Sequence, residues 1–247
     1  METILREISL IYNQIDLDGF GAISEHEAHF LCERLISMKP KNVVEIGCAT
    51  GFSTTILSKV SNLSHKWHTH SIDALNHFYG IPSKKVGFLC DELLSKEERE
   101  LLSLYHPNTA FDIPKLMPNI EFDFAFIDAC HEHPWPTLDM IALLPHMTEN
   151  SLIAHHDLNL YKCKRCMDDL GPKFIFDQFD HSEKDILEGK NPNIYSIKIS
   201  GDYKRYASKL INSLNLPWSL RSRPPAKLMF QIGHYIEKYW SDTELYH

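Results

Sequence analysis

The side chains best suited to chemistry lie in two short stretches, Asp128-Ala129-Cys130-His131-Glu132-His133 and His155-His156-Asp157. Each follows an apolar run, residues 122–127 and 151–154, that reads as a buried β-strand. In an open parallel α/β sheet the carboxyl ends of the strands line the ligand crevice, so these two termini are expected to bring carboxylates and imidazoles to one place. Such a group can ligate a divalent metal, act as general base on a substrate hydroxyl, or orient another side chain. Asp128 and Asp157 end two strands, His131 and His156 stand beside them, and these four are the candidates for the chemistry. The chain has 15 histidines, and His65, His68, His77, His106, His146 and His181 read as surface or core residues.

The element that must hold the other reactant is Asn42-Val43-Val44-Glu45-Ile46-Gly47-Cys48-Ala49-Thr50-Gly51-Phe52-Ser53, a buried parallel strand running into a small-residue turn and a helix start. Gly47 and Gly51 let the backbone turn tightly and approach a ligand, and the N–H groups that open the helix face the same spot. Glu45, Gly47, Cys48, Ala49, Gly51 and Ser53 are the candidate cofactor contacts. A glycine turn after a strand also arises for steric reasons alone, and the spacing does not fit the dinucleotide fingerprint Gly-x-Gly-x-x-Gly. Residues 67–73 read as a second strand ending in Asp73, about 20 residues past the turn, where an acid hydrogen-bonds ribose hydroxyls. Any strand can also end in a surface aspartate. A third strand ends near Tyr105, leaving Asn108 and Thr109 as candidate adenine contacts.

The 247 residues are 43% hydrophobic and 23% charged, as in a soluble α/β protein with one main domain and additions. A formal charge of −8 argues against a nucleic-acid surface. No apolar run approaches the ~20 residues that a membrane helix needs, and Met1–Glu7 lacks a basic segment leading into an apolar core. The expectation is a cytoplasmic enzyme that acts on a small molecule. Six cysteines, at 32, 48, 90, 130, 163 and 166, are too scattered for a disulfide framework. Cys163-Lys164-Arg165-Cys166 is either half a zinc site, a redox motif or two ordinary helical thiols.

Residues 4–15 and 25–36 carry apolar positions at helical spacing. Between them Asp16, Asp18, Gly21, Ile23, Ser24 and Glu27 match calcium-loop positions, but Phe20 replaces an oxygen donor. The same residues also make a glycine turn with Ser24 and Glu27 as a capping box. Residues 91–104 read as one charged helix, 173–178 and 193–199 as a closing antiparallel pair of strands, and 181–192 as a polar substrate-side loop. Helical segments at 203–214 and 228–240 cover the sheet or make an oligomer contact. The expected division is an N-terminal helical segment (1–40), a main domain (41–200) and a C-terminal helical extension (201–247).

Glu45-Ile46-Gly47-Cys48-Ala49-Thr50-Gly51 resembles the first motif of class I S-adenosylmethionine (SAM) methyltransferases, acidic-x-Gly-x-Gly-x-Gly, with Ala49 in place of the middle glycine. Gly21-Ala22-Ile23-Ser24 leading into Glu27 and Phe30-Leu31, then Phe126-Ile127-Asp128-Ala129-Cys130-His131, then His156-Asp157, extend the resemblance over residues 20–200. The branch is methyltransferase family 24, similar to cephalosporin-hydroxylase-type proteins and macrolide-sugar O-methyltransferases. The resemblance implies a doubly wound, Rossmann-like, seven-stranded and mostly parallel α/β sheet. It also implies SAM as cofactor and O-methylation of a small-molecule hydroxyl. It assigns Glu45, Gly47 and Gly51 to SAM and Asp73 to the ribose; the strand-end reading sets Asp128 near the cofactor's reactive end, with Asp128, His131 and His156 as the candidates for catalysis.

Metal-dependent relatives hold magnesium with an Asp after strand four and an acidic pair after strand five, positions filled here by Asp128, His156 and Asp157. His156 in place of an acid points to a softer divalent ion, or to a metal-free site with a histidine base. Rival readings are a metal-dependent, hydroxylase-like oxidoreductase on the same fold and a non-catalytic SAM- or calcium-binding module.

Overall fold

A computed structural model of the chain describes residues 2–15 and 22–243. By backbone proximity the chain divides into two compact units, residues 1–109 with 122–126, and residues 110–121 with 127–247.

The first unit opens with α1 (Glu2–Tyr12) and α2 (Glu25–Met38). Ile4, Ile8 and Ile11 recur at helical spacing and bury one face of α1. α2 begins with the capping box: Ser24 N donates to Glu27 Oε2 at 2.6 Å, and Glu27 N donates to Ser24 Oγ at 3.4 Å. Glu27, the final acid of the calcium-loop expectation, is thus engaged in starting a helix. Asp16, Asp18 and Gly21 lie outside the described residues.

Then come β1 (Asn42–Ile46), α3 (Phe52–Leu63), β2 (His68–Ile72), α4 (Phe88–Leu93), α5 (Lys96–Arg99) and β3 (Leu102–Tyr105). β1 pairs in parallel with β2, and β2 with β3, which sets Glu45 beside Ser71 and Ile72 beside Tyr105. The single charged helix expected over 91–104 is broken. Leu94 is extended (ψ 133°), Ser95 starts α5 with a capping box to Glu98, and the last apolar residues pair as β3.

The rest of the chain forms α6 (Ile113–Leu116), β4 (Phe122–Ile127), α7 (Trp135–Leu143), β5 (Met147–His155), α8 (Gly171–Gln178), β6 (Lys184–Ile186), β7 (Tyr195–Lys198), α9 (Ala207–Leu214) and α10 (Ala226–Trp240). The seven strands are ordered β3-β2-β1-β4-β5-β7-β6, with β7 antiparallel to both β5 and β6. Phe122, Phe124, Ala125 and Phe126 are fully buried, as a central strand covered on both faces requires.

Residues 173–178, expected as a strand, belong to α8, and the edge strand is instead β6, within the segment expected to be a loop. Pro172 suits the first turn of a helix, where its missing N–H has no intrahelical partner to lose, and Lys173 pairs with Asp177 one turn on. The three-residue apolar run Phe174-Ile175-Phe176 is too short to carry a period that separates the two structures.

α10 is built into the second unit. The last carbonyls of a helix lack intrahelical partners. In α7 two of them are satisfied from α10, Ala142 O by the Tyr235 hydroxyl at 2.7 Å and Ile141 O by Trp240 Nε1 at 3.3 Å. Among the described residues no helix is long and apolar enough to cross a membrane.

Candidate active site

Glu45, at the end of β1, is wholly buried, and its carboxylate accepts from Ser53 Oγ at 2.5 Å, from Ser71 Oγ at 2.5 Å and from the Thr54 hydroxyl. One charge therefore ties β1 to the start of α3 and to β2. The turn that follows takes positive φ at Gly47 (99°), Ala49 (47°) and Gly51 (85°). Its N–H groups are held by Asp73, whose Oδ2 accepts from Cys48 N at 3.1 Å and Ala49 N at 2.8 Å, while Oδ1 accepts from Leu75 N at 2.8 Å. Asn108 N donates to Asp73 O at 2.8 Å. The structure thus brings together Glu45, Gly47, Cys48, Ala49, Gly51, Ser53, Asp73 and Asn108.

Two of these positions face inward. The Cys48 thiol lies 3.4 Å from Thr54 Oγ1 in the core, where burial raises its pKa well above the usual range, so Cys48 serves the turn through its backbone. A Cβ on Gly51 would lie 2.8 Å from both Cys90 Sγ and Gly87 Cα. Glycine there is demanded by the neighbouring turn as well as by φ.

The other four candidates, Asp128, His131, His156 and Asp157, lie in the second unit, in the segments that follow β4 and β5. His131 Nε2 lies 3.4 Å from Asp128 Oδ1 and 3.0 Å from Asp157 Oδ2. His156 Nδ1 lies 3.2 Å from Asp128 Oδ1 and 3.4 Å from Asp157 Oδ1. Each imidazole is thus within reach of both carboxylates, and His156 is the more buried. Ligand atoms of Asp128, His131 and Asp157 lie within 4.8 Å of one another, a donor set of two carboxylates and one imidazole fit for a divalent cation.

Residues 44–158 match the family model of a methyltransferase domain, family 24. This segment is a methyltransferase domain. The chain also resembles solved methyltransferases: the O-methyltransferase TomG from Streptomyces achromogenes, involved in tomaymycin synthesis, in complex with SAM (16% identity, TM-score 0.54, 80% of this chain and 90% of that one). A second is the Bacillus cereus O-methyltransferase in complex with S-adenosylhomocysteine (15%, 0.54, 79% and 90%). A third is the S-adenosylhomocysteine-bound Podospora anserina methyltransferase PaMTH1 (15%, 0.55, 80% and 88%). At these identities the likeness is one of fold. No curated protein matches the chain in sequence.

The methyltransferase domain ends in a charged cluster with an uneven proton distribution. Burial works against a charge on His131, yet its bonds to Asp128 and Asp157 prevail and push its pKa up to about 10. Burial likewise opposes ionisation of Asp128 and Asp157; the two histidines outweigh it and hold both carboxyls below their usual range. At neutral pH a protonated His131 therefore lies between two carboxylates. A divalent cation would bring two positive charges in place of one to the same oxygens and release the His131 proton. Neighbouring His155 and His133 behave oppositely, since burial lowers them to about 3 and about 4 and leaves them neutral.

Asp157, the last of the four candidates, is held by Asn193, which lies beyond the matched segment. Asp157 has a left-handed backbone (φ 58°). Leu158 N donates to Asn193 O at 3.1 Å and Asn159 N to Asn193 Oδ1 at 2.9 Å, while Asn193 Nδ2 donates to Asp157 Oδ1 at 2.8 Å. A backbone N–H can only donate, so the amide oxygen must face Asn159 and the amide nitrogen must face the carboxylate. The sequence marks Asn193 only as the start of a strand; the polar Asn191-Pro192-Asn193 loop was the available signal. The His131 loop is pinned as well. His131 O accepts from Gly171 N at 3.0 Å, Ser219 bonds His133 through N and Oγ, and Arg221 reaches Glu132 and Asp169.

Proposed function

We propose that this chain transfers the methyl group of SAM to a hydroxyl of a small molecule, and that the Asp128–His131–His156–Asp157 cluster receives that hydroxyl. The observation that carries the reading is this ion cluster within a methyltransferase domain. In SAM the methyl is already activated on a sulfonium, so the protein's work is alignment and removal of the acceptor's proton. The glycine turn between Glu45 and Gly51 holds the cofactor, Asp73 fixes the turn and keeps lone pairs for ribose hydroxyls, and Asn108 and Thr109 approach the adenine. Asp128 and Asp157 orient the acceptor hydroxyl, protonated His131 holds the two carboxylates in place, and the imidazole of His156 accepts the proton. If a divalent cation is bound, Asp128, His131 and Asp157 hold it, and it acidifies the acceptor hydroxyl. The net charge of −8 fits a small acceptor rather than a nucleic acid, and a cytoplasmic location is part of this reading.

Asp128→Asn and Asp157→Asn are expected to abolish release of S-adenosylhomocysteine across a panel of polyhydroxylated acceptors while leaving calorimetric SAM affinity nearly unchanged. SAM affinity falling as far as turnover would overturn this division of labour.

A further inference from the structure

The methyl-transfer reading leaves Cys163-Lys164-Arg165-Cys166 without a role. All six cysteines are free, with Cys32, Cys48 and Cys90 buried, Cys163 exposed and Cys166 half-buried. The pair is not helical, contrary to one of the sequence readings. Cys166 N donates to Cys163 O at 2.9 Å, which closes a four-residue turn. Such a turn keeps its end Cα atoms within roughly 7 Å, overlapping the span of about 4.4–6.8 Å that a disulfide bridges. The turn lies in the segment that begins on Asp157, through Leu160 N to Asp157 O at 3.2 Å, and ends on the His131 carbonyl at Gly171.

We propose that Cys163 and Cys166 are a redox-active dithiol that closes to a reversible intramolecular disulfide by exchange with a low-molecular-weight disulfide such as glutathione disulfide. Exposed Cys163 attacks first: its thiolate displaces one glutathione thiolate and forms a mixed disulfide. Cys166 thiolate then attacks the Cys163 sulfur, forms the intramolecular bond and expels the second glutathione. Two protein thiols are oxidised, one small disulfide is reduced, and the two thiol protons pass to the released thiolates. Partial burial, with Cys163 and Asp169 alongside, raises the Cys166 thiol pKa, which suits the resolving rather than the attacking position.

The test equilibrates the full chain in a series of reduced-to-oxidised glutathione ratios, quenches it with N-ethylmaleimide under denaturing conditions and maps linkages by mass spectrometry. Adducts are expected to fall from all six cysteines by two as the ratio turns oxidising, with the link at Cys163–Cys166. Reductant is expected to restore them. Cys166→Ser should trap glutathione on Cys163, and Cys163→Ser should abolish the two-thiol loss. A full set of adducts at the most oxidising ratio, or a link through Cys130, would overturn the proposal. Mapping the unaltered protein decides the matter even if a variant misfolds.

Discussion

Ala49 holds a left-handed backbone (φ 47°) between two glycines, while Gly51 combines φ 85° with a neighbour's backbone 2.8 Å from where its Cβ would be. The two positions should respond oppositely to substitution. Ala49→Gly relieves about 1 kcal/mol of left-handed strain and adds a similar unfolded-state entropy, so urea denaturation should show a net change under about 1 kcal/mol. Gly51→Ala meets both the strain and the contact with Gly87, and a loss above about 2 kcal/mol is expected in the same measurement. Asn193 acts through its main-chain oxygen and both ends of its amide. Asn193→Asp replaces the donor facing Asp157 with a second carboxylate, and a drop of roughly 10–100-fold in turnover is expected. Turnover unchanged in Asn193→Asp would show that Asp157 is oriented without it.

The elements with their own punctuation were the legible ones. β1, β2 and β4 announced themselves as apolar runs ending in turns or acids, α2 by its capping box, and α10 by its period. The failures share a cause, since each depended on a partner distant in sequence. β6 is three residues, Lys-Asp-Ile, whose only reason to be extended is pairing with β7. β3 ends at Tyr105 as expected, but the helix read over 91–104 overran its first residues, because its pairing with β2 leaves no mark in the local period. At the site, the residue types and strand ends of Asp128, His131, His156 and Asp157 were readable. Asn193, lying 36 positions from Asp157, was not. Among elements, α10's hold on α7 gives the clearest energetic expectation. Tyr235→Phe leaves Ala142 O without its donor and should cost about 1 kcal/mol in denaturant titration. Trp240→Ala removes a fully buried ring and should cost about 3–5 kcal/mol.

For the molecule as a whole, the His131 cluster sets a pH signature of stability. A histidine whose pKa is raised on folding stabilises fully below its unfolded value, near 6.5, and ceases to do so as pH rises through its folded value. With His131 pushed up to about 10, metal-free protein should lose stability steadily between pH ~6.5 and ~10. His131→Gln should flatten that slope in denaturation series run with a chelator. Depressed Asp128 and Asp157 act in the other direction, stabilising above the ordinary carboxylate range and ceasing to do so as acid protonates them. A slope surviving intact in His131→Gln would place the titrating group elsewhere.

The dependence of α7 on Tyr235 and Trp240 also orders events during synthesis. Residues 135–143 leave the ribosome nearly a hundred residues before the groups that satisfy Ile141 O and Ala142 O. Until then that end of the helix must be covered by water or by a chaperone. The second unit therefore reaches its final packing late, as α10 emerges, and a nascent chain stalled before residue 235 would carry a frayed α7 exposed to proteases.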